Sequence, residues 1–270
     1  MAQICLQDRH ALVTGGGTGI GRGIALALAR RGATVTLVGR RSAPLTSVAR
    51  EVEQLGRAAY VVPADLALPA ERARVLHQAR AGAGLIDVLV NNAGMLAGGP
   101  LLWHDARTLE RAVAVNLAAP MDLVRLALPE LAVRQGSVVL VGSAMSYVPM
   151  PYATLYAATK AGLRAFGEAL RYEAAAFGVH VLLVYPPGTA TDLVRPLARP
   201  GRRSPALADP NAAGERVIAA LEAGRTAQVW GMGERLLLGL NRLAPGLARR
   251  ILFMARTRFL PTPYTELHHG

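Results

Sequence analysis

The chain has 270 residues, of which 52% are hydrophobic and 18% charged. That length suits one large α/β domain or two small ones, and that balance excludes a disordered chain in favour of a large buried core. The formal net charge is +12, and the single cysteine, Cys5, rules out both an intrachain disulfide and a Cys-based zinc site.

Apolar runs of strand length alternate with helical stretches along the chain. Strands are expected at Ala11–Thr14, Thr34–Val38, Ala58–Val62, Ile86–Val90, Ser137–Val141 and His180–Val184, with a seventh at Thr226–Trp230. Helices are expected near 20–31, 43–55, 69–81, 105–133, 152–177 and 210–223. The strands read as continuous Val/Leu/Ile runs, as strands covered on both faces do. The alternation predicts an α/β fold, a doubly wound parallel sheet of Rossmann type with about seven strands. The Pro- and Arg-rich stretch Arg195–Pro210 reads as a loop inserted into that domain. Beyond it, Leu236, Leu237, Leu240 and Leu243 share one helical face, and Pro245-Gly246 ends that helix. A second helix follows, with Leu247, Ile251 and Met254 among Arg249, Arg250, Arg256 and Arg258. Residues 1–231 are thus expected to form one Rossmann-type domain, and 232–270 a basic, Leu/Arg-rich helical extension.

The first strand runs into Thr14-Gly15-Gly16-Gly17-Thr18-Gly19-Ile20-Gly21, which opens the first helix. Gly15 suits a tight turn, Gly19 leaves room for a pyrophosphate, and Gly21 lets helix and sheet approach. The free N–H groups at the helix start favour an anion. Where an NAD-binding strand usually ends in Asp or Glu, this one ends in Gly39-Arg40-Arg41. No carboxylate repels a ribose 2′-phosphate there, and two guanidiniums can pair with it, so NADP(H) is expected over NAD(H).

Tyr156 and Lys160 stand four residues apart on a predicted helix, hence on one face. Lys160 is the only lysine among 30 basic residues. A phenol of ordinary pKa, near 10, transfers a proton poorly at neutral pH, and an adjacent ammonium together with a nicotinium charge would lower it.

From about residue 8 to 230 the sequence resembles the classical short-chain dehydrogenase/reductase family. The resemblance rests on the glycine turn, Asp65, Asn91-Asn92-Ala93-Gly94, Asn116, Ser143, Tyr156-x-x-x-Lys160 and Pro187-Gly188. It implies that Tyr156 is the general acid/base, that Ser143 polarises a substrate carbonyl, and that Lys160 tunes Tyr156 and holds the nicotinamide ribose. It further implies that Asn116 positions a relay water behind Lys160. Asp65 and Leu66 would border the adenine, and Asn92, Ala93 and Gly94 the adenosine ribose. Pro187, Gly188 and Thr189 would face the nicotinamide. The implied reaction is pro-S hydride transfer between a small-molecule ketone and its alcohol, in a homodimer or homotetramer, without a metal. One departure stands out. Asp192 occupies the family's usual Thr position, with Thr189 and Thr191 nearby. The double proline of Tyr185-Pro-Pro-Gly-Thr-Ala-Thr191 is similar to that of long-chain keto-sphingoid reductases, which carry Asp where Gly188 and Ala190 stand.

A pure binding protein needs no acid/base tyrosine, which argues against the alternative of a dinucleotide-binding regulator or scaffold without turnover. Between Arg195 and Arg258 lie twelve arginines against Asp209, Glu215, Glu222 and Glu234. That excess suits an anionic partner or a solvated surface. Nucleic acid is not expected, since the arginines fit no reading motif. The extension packs on the domain, mediates an oligomer or lies on a membrane surface. A segment containing Tyr147, Met150, Pro151 and Tyr152 offers an apolar lining for a hydrophobic ketone, and His104 reads as a solvated residue. The N-terminus lacks a signal-like pattern and no uncharged apolar run reaches about 18 residues, so a cytoplasmic protein is expected, with any membrane contact peripheral.

Overall fold

The computed structural model describes residues 3–186, 189, 208–230 and 232–255. Among them, seven parallel strands form one sheet: β1 (His10–Thr14), β2 (Thr34–Gly39), β3 (Ala59–Pro63), β4 (Val88–Asn91), β5 (Ser137–Val141), β6 (His180–Tyr185) and β7 (Ala227–Val229). Their spatial order is β3-β2-β1-β4-β5-β6-β7. The helices are α1 (Gly19–Arg30), α2 (Ser42–Gln54), α3 (Pro69–Ala83), α4 (Ala106–Val113), α5 (Ala119–Arg134), α6 (Thr154–Ala175), α7 (Pro210–Glu222), α8 (Met232–Leu243) and α9 (Pro245–Ala255).

Each central strand divides its apolar residues between two cores, which is why it reads as a continuous run rather than an alternating one. Ala11 and Val13 of β1, Val139 and Val141 of β5, and Leu182 and Val184 of β6 join one core with α1, α2 and α7. Leu12, Val138, Leu140, Val181 and Leu183 join the other, under α3, α5 and α6. Chain direction across the sheet reverses between β1 and β4, which are neighbours. A crevice for ligands opens at such a switch, beyond the carboxyl ends of the strands.

One expected helix, 105–133, is observed as α4 and α5 joined by a π-helical segment, Ala114–Ala118. By length and composition, the run Ala106–Arg134 is long and apolar enough to cross a membrane. Its Leu123, Val124, Ala127 and Leu131 are instead buried in the core. The two C-terminal helices lie where the Leu pattern and Pro245 predict them. The expected insertion Arg195–Pro210 falls largely outside the described residues.

Candidate active site

The turn after β1 is fixed by backbone geometry that side chains would break. Gly15 has φ +66°, and a Cβ there would lie 2.8 Å from Asn92 Nδ2. A Cβ on Gly21 would lie 2.1 Å from the Gly15 carbonyl oxygen, so the start of α1 can pass the turn only without one. The Gly15 N–H donates to the Val38 carbonyl at 2.7 Å, tying the turn to β2. Asn92 ties it to β4, donating from Nδ2 to the Thr14 and Gly15 carbonyls at 3.0 and 3.3 Å. Thr14 Oγ1 accepts from the N–H groups of Asn92 and Ala93, both at 3.0 Å. Thr18 caps α1 without a side-chain hydrogen bond, and the first turn of α1 holds no acidic residue. Gly17, Gly19 and Ile20 complete this turn, Gly19 with φ +56°, where it runs into the N-terminus of α1.

Arg40 and Arg41 are exposed where β2 passes into α2. Arg40 also lies close enough to Asp65 to favour its ionised form. Burial opposes ionisation of Asp65, but hydrogen bonds from Arg111 and the Ala67 N–H hold its carboxyl below the usual carboxylate range. Arg111 reaches Oδ2 at 2.6 Å and the Ala67 N–H reaches Oδ1 at 3.1 Å, so both Asp65 oxygens are engaged by the protein itself. Leu66 beside it is buried.

The catalytic candidates converge from three elements. Ser143 follows β5 and caps a short 3₁₀ turn, Ala144–Ser146. Tyr156 and Lys160 lie on α6, both buried, and Asn116 lies fully buried in the π-helical segment. The Ser143 hydroxyl lies near enough to the Tyr156 phenol to favour its ionised form. Lys160 Nζ donates to the Val141 carbonyl at 2.7 Å and stands 5.8 Å from the centre of the Tyr156 ring. Burial pushes Tyr156 up to about 12, against a smaller pull downward from Ser143. Burial alone brings Lys160 down to about 8. The lowered phenol expected from the lysine together with a nicotinium charge is therefore not reached by the protein alone, where desolvation dominates.

Asn116 uses its whole amide on the protein. Its Oδ1 accepts from Met95 N at 2.8 Å, and its Nδ2 donates to Met95 O at 2.9 Å and Thr159 Oγ1 at 3.1 Å. The side chain thereby pins the turn after β4 to α6. Gly94 sits against this junction, with Asn116 Oδ1 and Lys160 Nζ 3.4 and 3.8 Å from where its Cβ would be. Thr189 is buried and bridges Ala208, whereas Pro187 and Gly188 lie outside the described residues.

Sequence reasoning missed several supporting groups. Thr14 clamps the glycine turn, and Thr159 donates to the Tyr156 carbonyl at 2.9 Å while accepting from Asn116. Arg111 holds Asp65. Thr159 lies inside the Tyr-x-x-x-Lys stretch, which is the one local signal that pointed to it.

Beside the loop from Ser143 to Tyr156 lies a cleft of about 840 Å³. Leu101, Leu102, Tyr147, Met150 and Tyr152 line one side, and Asn241, Arg249, Leu252 and Phe253 of the C-terminal helices line the other. Asn241 Nδ2 donates to the Tyr147 carbonyl at 3.2 Å. The extension thus packs on the rest of the chain, one of the three expected arrangements. His104 is half-buried, with its Nε2 lacking a protein partner, and does not line the cleft.

A family model described as short chain dehydrogenase matches residues 9–200. The chain belongs to that family. A short chain dehydrogenase of Pseudocercospora fijiensis is 34% identical over 194 residues, 71% of this chain and 63% of that protein. The 3-ketodihydrosphingosine reductase of Bos taurus is 31% identical over 194 residues, 70% of this chain and 58% of that protein. The match therefore spans less than two thirds of either relative's length. A blue fluorescent protein from a metagenomic library, solved in complex with NADPH, shares 28% identity with a TM-score of 0.76, covering 84% of this chain and 97% of that one. The chain thus shares the family's Rossmann-type fold.

Proposed function

We propose that this protein is an NADP(H)-dependent oxidoreductase that interconverts a ketone and a secondary alcohol on a hydrophobic substrate of acyl, sphingoid or steroid type. The observation that carries the reading is a buried tyrosine beside Ser143, one helical turn from the chain's only lysine, whose Nζ stands 5.8 Å from the tyrosine ring centre. NADP(H) fits the residues present. The cradle of Gly15, Gly17, Thr18, Gly19, Ile20 and Gly21 suits its diphosphate, and Arg40 and Arg41 suit its 2′-phosphate. Asp65 and Leu66 would border the adenine, Asn92, Ala93 and Gly94 its ribose, and Tyr156, Lys160 and Thr189 the nicotinamide end. When bound, the dinucleotide supplies the hydride for reduction and takes it back in oxidation.

The chain's own residues handle the proton. Ser143 donates a hydrogen bond to the ketone oxygen and draws charge onto it. Tyr156 then gives its phenolic proton to that oxygen as the alcohol forms, and takes it back in the reverse direction. Lys160 faces the ring at short range and offsets the negative charge left on the phenolate. Asn116 keeps the turn after β4 and the start of α6 in register around this group. The apolar cleft beside Ser143 supports a hydrophobic substrate, as does the likeness to a ketosphingoid reductase. Exposed Val113, Met121 and Val133 on the α4–α5 run support a homodimer or homotetramer. Action in the cytosol, with the extension able to touch a membrane surface, completes the reading.

The test is a panel of acyl, sphingoid, steroid and small aromatic ketones, with NADPH or NADH followed by absorbance. Consumption of NADPH in preference to NADH with an apolar ketone is expected. Tight NADPH binding with no turnover across the panel would overturn the enzymatic reading in favour of a regulator or scaffold.

A further inference from the structure

We propose that the mouth of the cleft is a docking face for an anionic lipid bilayer, through which an apolar substrate passes directly from membrane to active site. This rests on the apolar-substrate reading above. Two segments far apart in sequence meet at the cleft. On one side a 3₁₀ turn, Leu101–Trp103, carries Leu102 at 91% exposure, with Leu101 and Trp103 about half exposed. On the other, α8 and α9 carry Leu243 at 86% exposure, with Leu247 and Met254 also well exposed. Leu101 and Leu102 line the cleft from the first segment, and Leu252 and Phe253 from the second. Phe253 both lines the cleft and is exposed, while Leu247 and Met254 lie on the outer side of α9, away from Leu252, so the exposed apolar residues flank the cleft's outer rim. Isolated exposed leucines are ordinary, but a group of them around one opening marks an interaction surface.

Charge identifies the occupant. Arg242, Arg249 and Arg250 lie among these residues, and α9 contains no acidic residue. None of the three arginines has an ion pair among the described residues. A second copy of the chain meeting this face on a two-fold axis would bring the same arginines together, and like charges at close range disfavour that contact. A bilayer with anionic headgroups satisfies both components, taking the leucines into its acyl region and the arginines at its phosphates. Trp103 belongs at the headgroup level, the depth that indole rings prefer.

The experiment is flotation of the full chain with phosphatidylcholine vesicles, with and without phosphatidylserine, at low and high salt. Binding is expected to the anionic vesicles at low salt and to fall at high salt. Arg242→Gln with Arg250→Gln should weaken it by about tenfold or more, since each arginine near an anionic surface is worth about fivefold. Leu243→Asp with Met254→Asp should weaken it at least as much. These four positions lie outside the cleft lining, so turnover of a short, water-soluble ketone should persist in both variants and report that they fold. No binding to anionic vesicles at low salt, or binding that neither pair weakens, overturns the proposal. So does sedimentation showing that Leu243→Asp with Met254→Asp dissociates a dimer. Vesicle binding without turnover of any ketone leaves docking standing and removes the enzymatic reading instead.

Discussion

The glycine turn and the rim of the cleft lie at the same edge of the sheet, yet their atoms are held in different ways. The turn is surrounded by backbone. Val38, Thr14, Asn92 and Ala93 engage it by hydrogen bonds, and a single added carbon on Gly21 would collide with the Gly15 carbonyl. The rim is made of side chains on separate elements, and Asn241 of the extension reaches the Ser143–Tyr156 loop at the Tyr147 carbonyl. On the proposed reading the diphosphate is common to NAD(H) and NADP(H), so its cradle can be rigid and backbone-defined. A substrate differs between members, and side chains on loops and an added pair of helices can vary without disturbing the sheet.

The largest expected effect lies at the junction of the two regions. Tyr156→Phe removes the transferable proton and keeps the ring. It should lower kcat by on the order of 10²–10⁴-fold, the range for loss of a general acid/base. NADPH affinity, measured by calorimetry, should stay within about threefold of wild type, because the cradle is untouched. A kcat near wild type on a verified substrate would remove Tyr156 from the chemistry.

Lys160→Met should also abolish turnover, but with a distinct signature in stability. Burial holds Lys160 at about 8 in the folded protein, below the ordinary lysine value of 10.5. Between those values the unfolded chain binds a proton that the folded protein has released. Wild-type stability should therefore rise with pH across that window, and be lower below pH 8, where the charge is buried. The full burial cost corresponds to about 3 kcal/mol. The variant lacks this group, so its urea midpoint at pH 7 should match or exceed wild type, and the rise between pH 8 and 10.5 should vanish. A variant much less stable at pH 7 would show that the hydrogen bond to Val141 outweighs the buried charge.

Gly21→Ala tests the backbone-defined side alone. With the new Cβ 2.1 Å from a carbonyl oxygen, either the turn or α1 must shift. NADPH binding should weaken by more than about tenfold, with a lower melting temperature. The contrast is with Arg40→Asp, which leaves the cradle intact and changes only its charge. A charge-assisted contact is worth about 1.5–3 kcal/mol, so the NADPH-to-NADH affinity ratio should fall by roughly 10–100-fold. An unchanged ratio would place the 2′-phosphate elsewhere.

The same division explains what the sequence alone reveals. Buried strands and the glycine turn are local in the chain. Val and Leu runs mark the strands, and Gly15, Gly19 and Gly21 are needed for reasons that act within a few residues. Tyr156 and Lys160 share a helix face, so their spacing already brings them together. The π-helical segment at Asn116 carries no comparable pattern, since the same residues read as ordinary helix. The pKa of Tyr156 is equally illegible, because it depends on burial by distant elements. The place of α8 and α9 beside the cleft depends on Asn241 meeting Tyr147, 94 positions away. Amphipathic helices look alike in sequence whether they cover protein, a second copy or lipid.

The smallest effect is expected at that contact. Tyr147 is held from the core side, where its ring meets Tyr185 edge-on at 4.9 Å and lies under the Arg164 guanidinium at 4.7 Å. Its carbonyl receives Asn241 from the extension. Asn241→Ala removes one neutral hydrogen bond between partly buried groups, worth about 0.5–1.5 kcal/mol. The core contacts of Tyr147 remain, so the loop should keep its course and kcat its value. What changes is how closely α8 lies against the cleft wall. A long apolar ketone that touches both walls should show a KM raised by roughly two- to tenfold, while a short ketone confined near Ser143 should show none of this. Comparing the two substrates in steady-state kinetics separates a role in shaping the far wall from a general loosening of the fold. If both KM values rise equally, or kcat falls for the short ketone, the extension supports the catalytic loop itself, and the separation between a fixed cofactor side and a variable substrate side would be weaker than the hydrogen bonds imply.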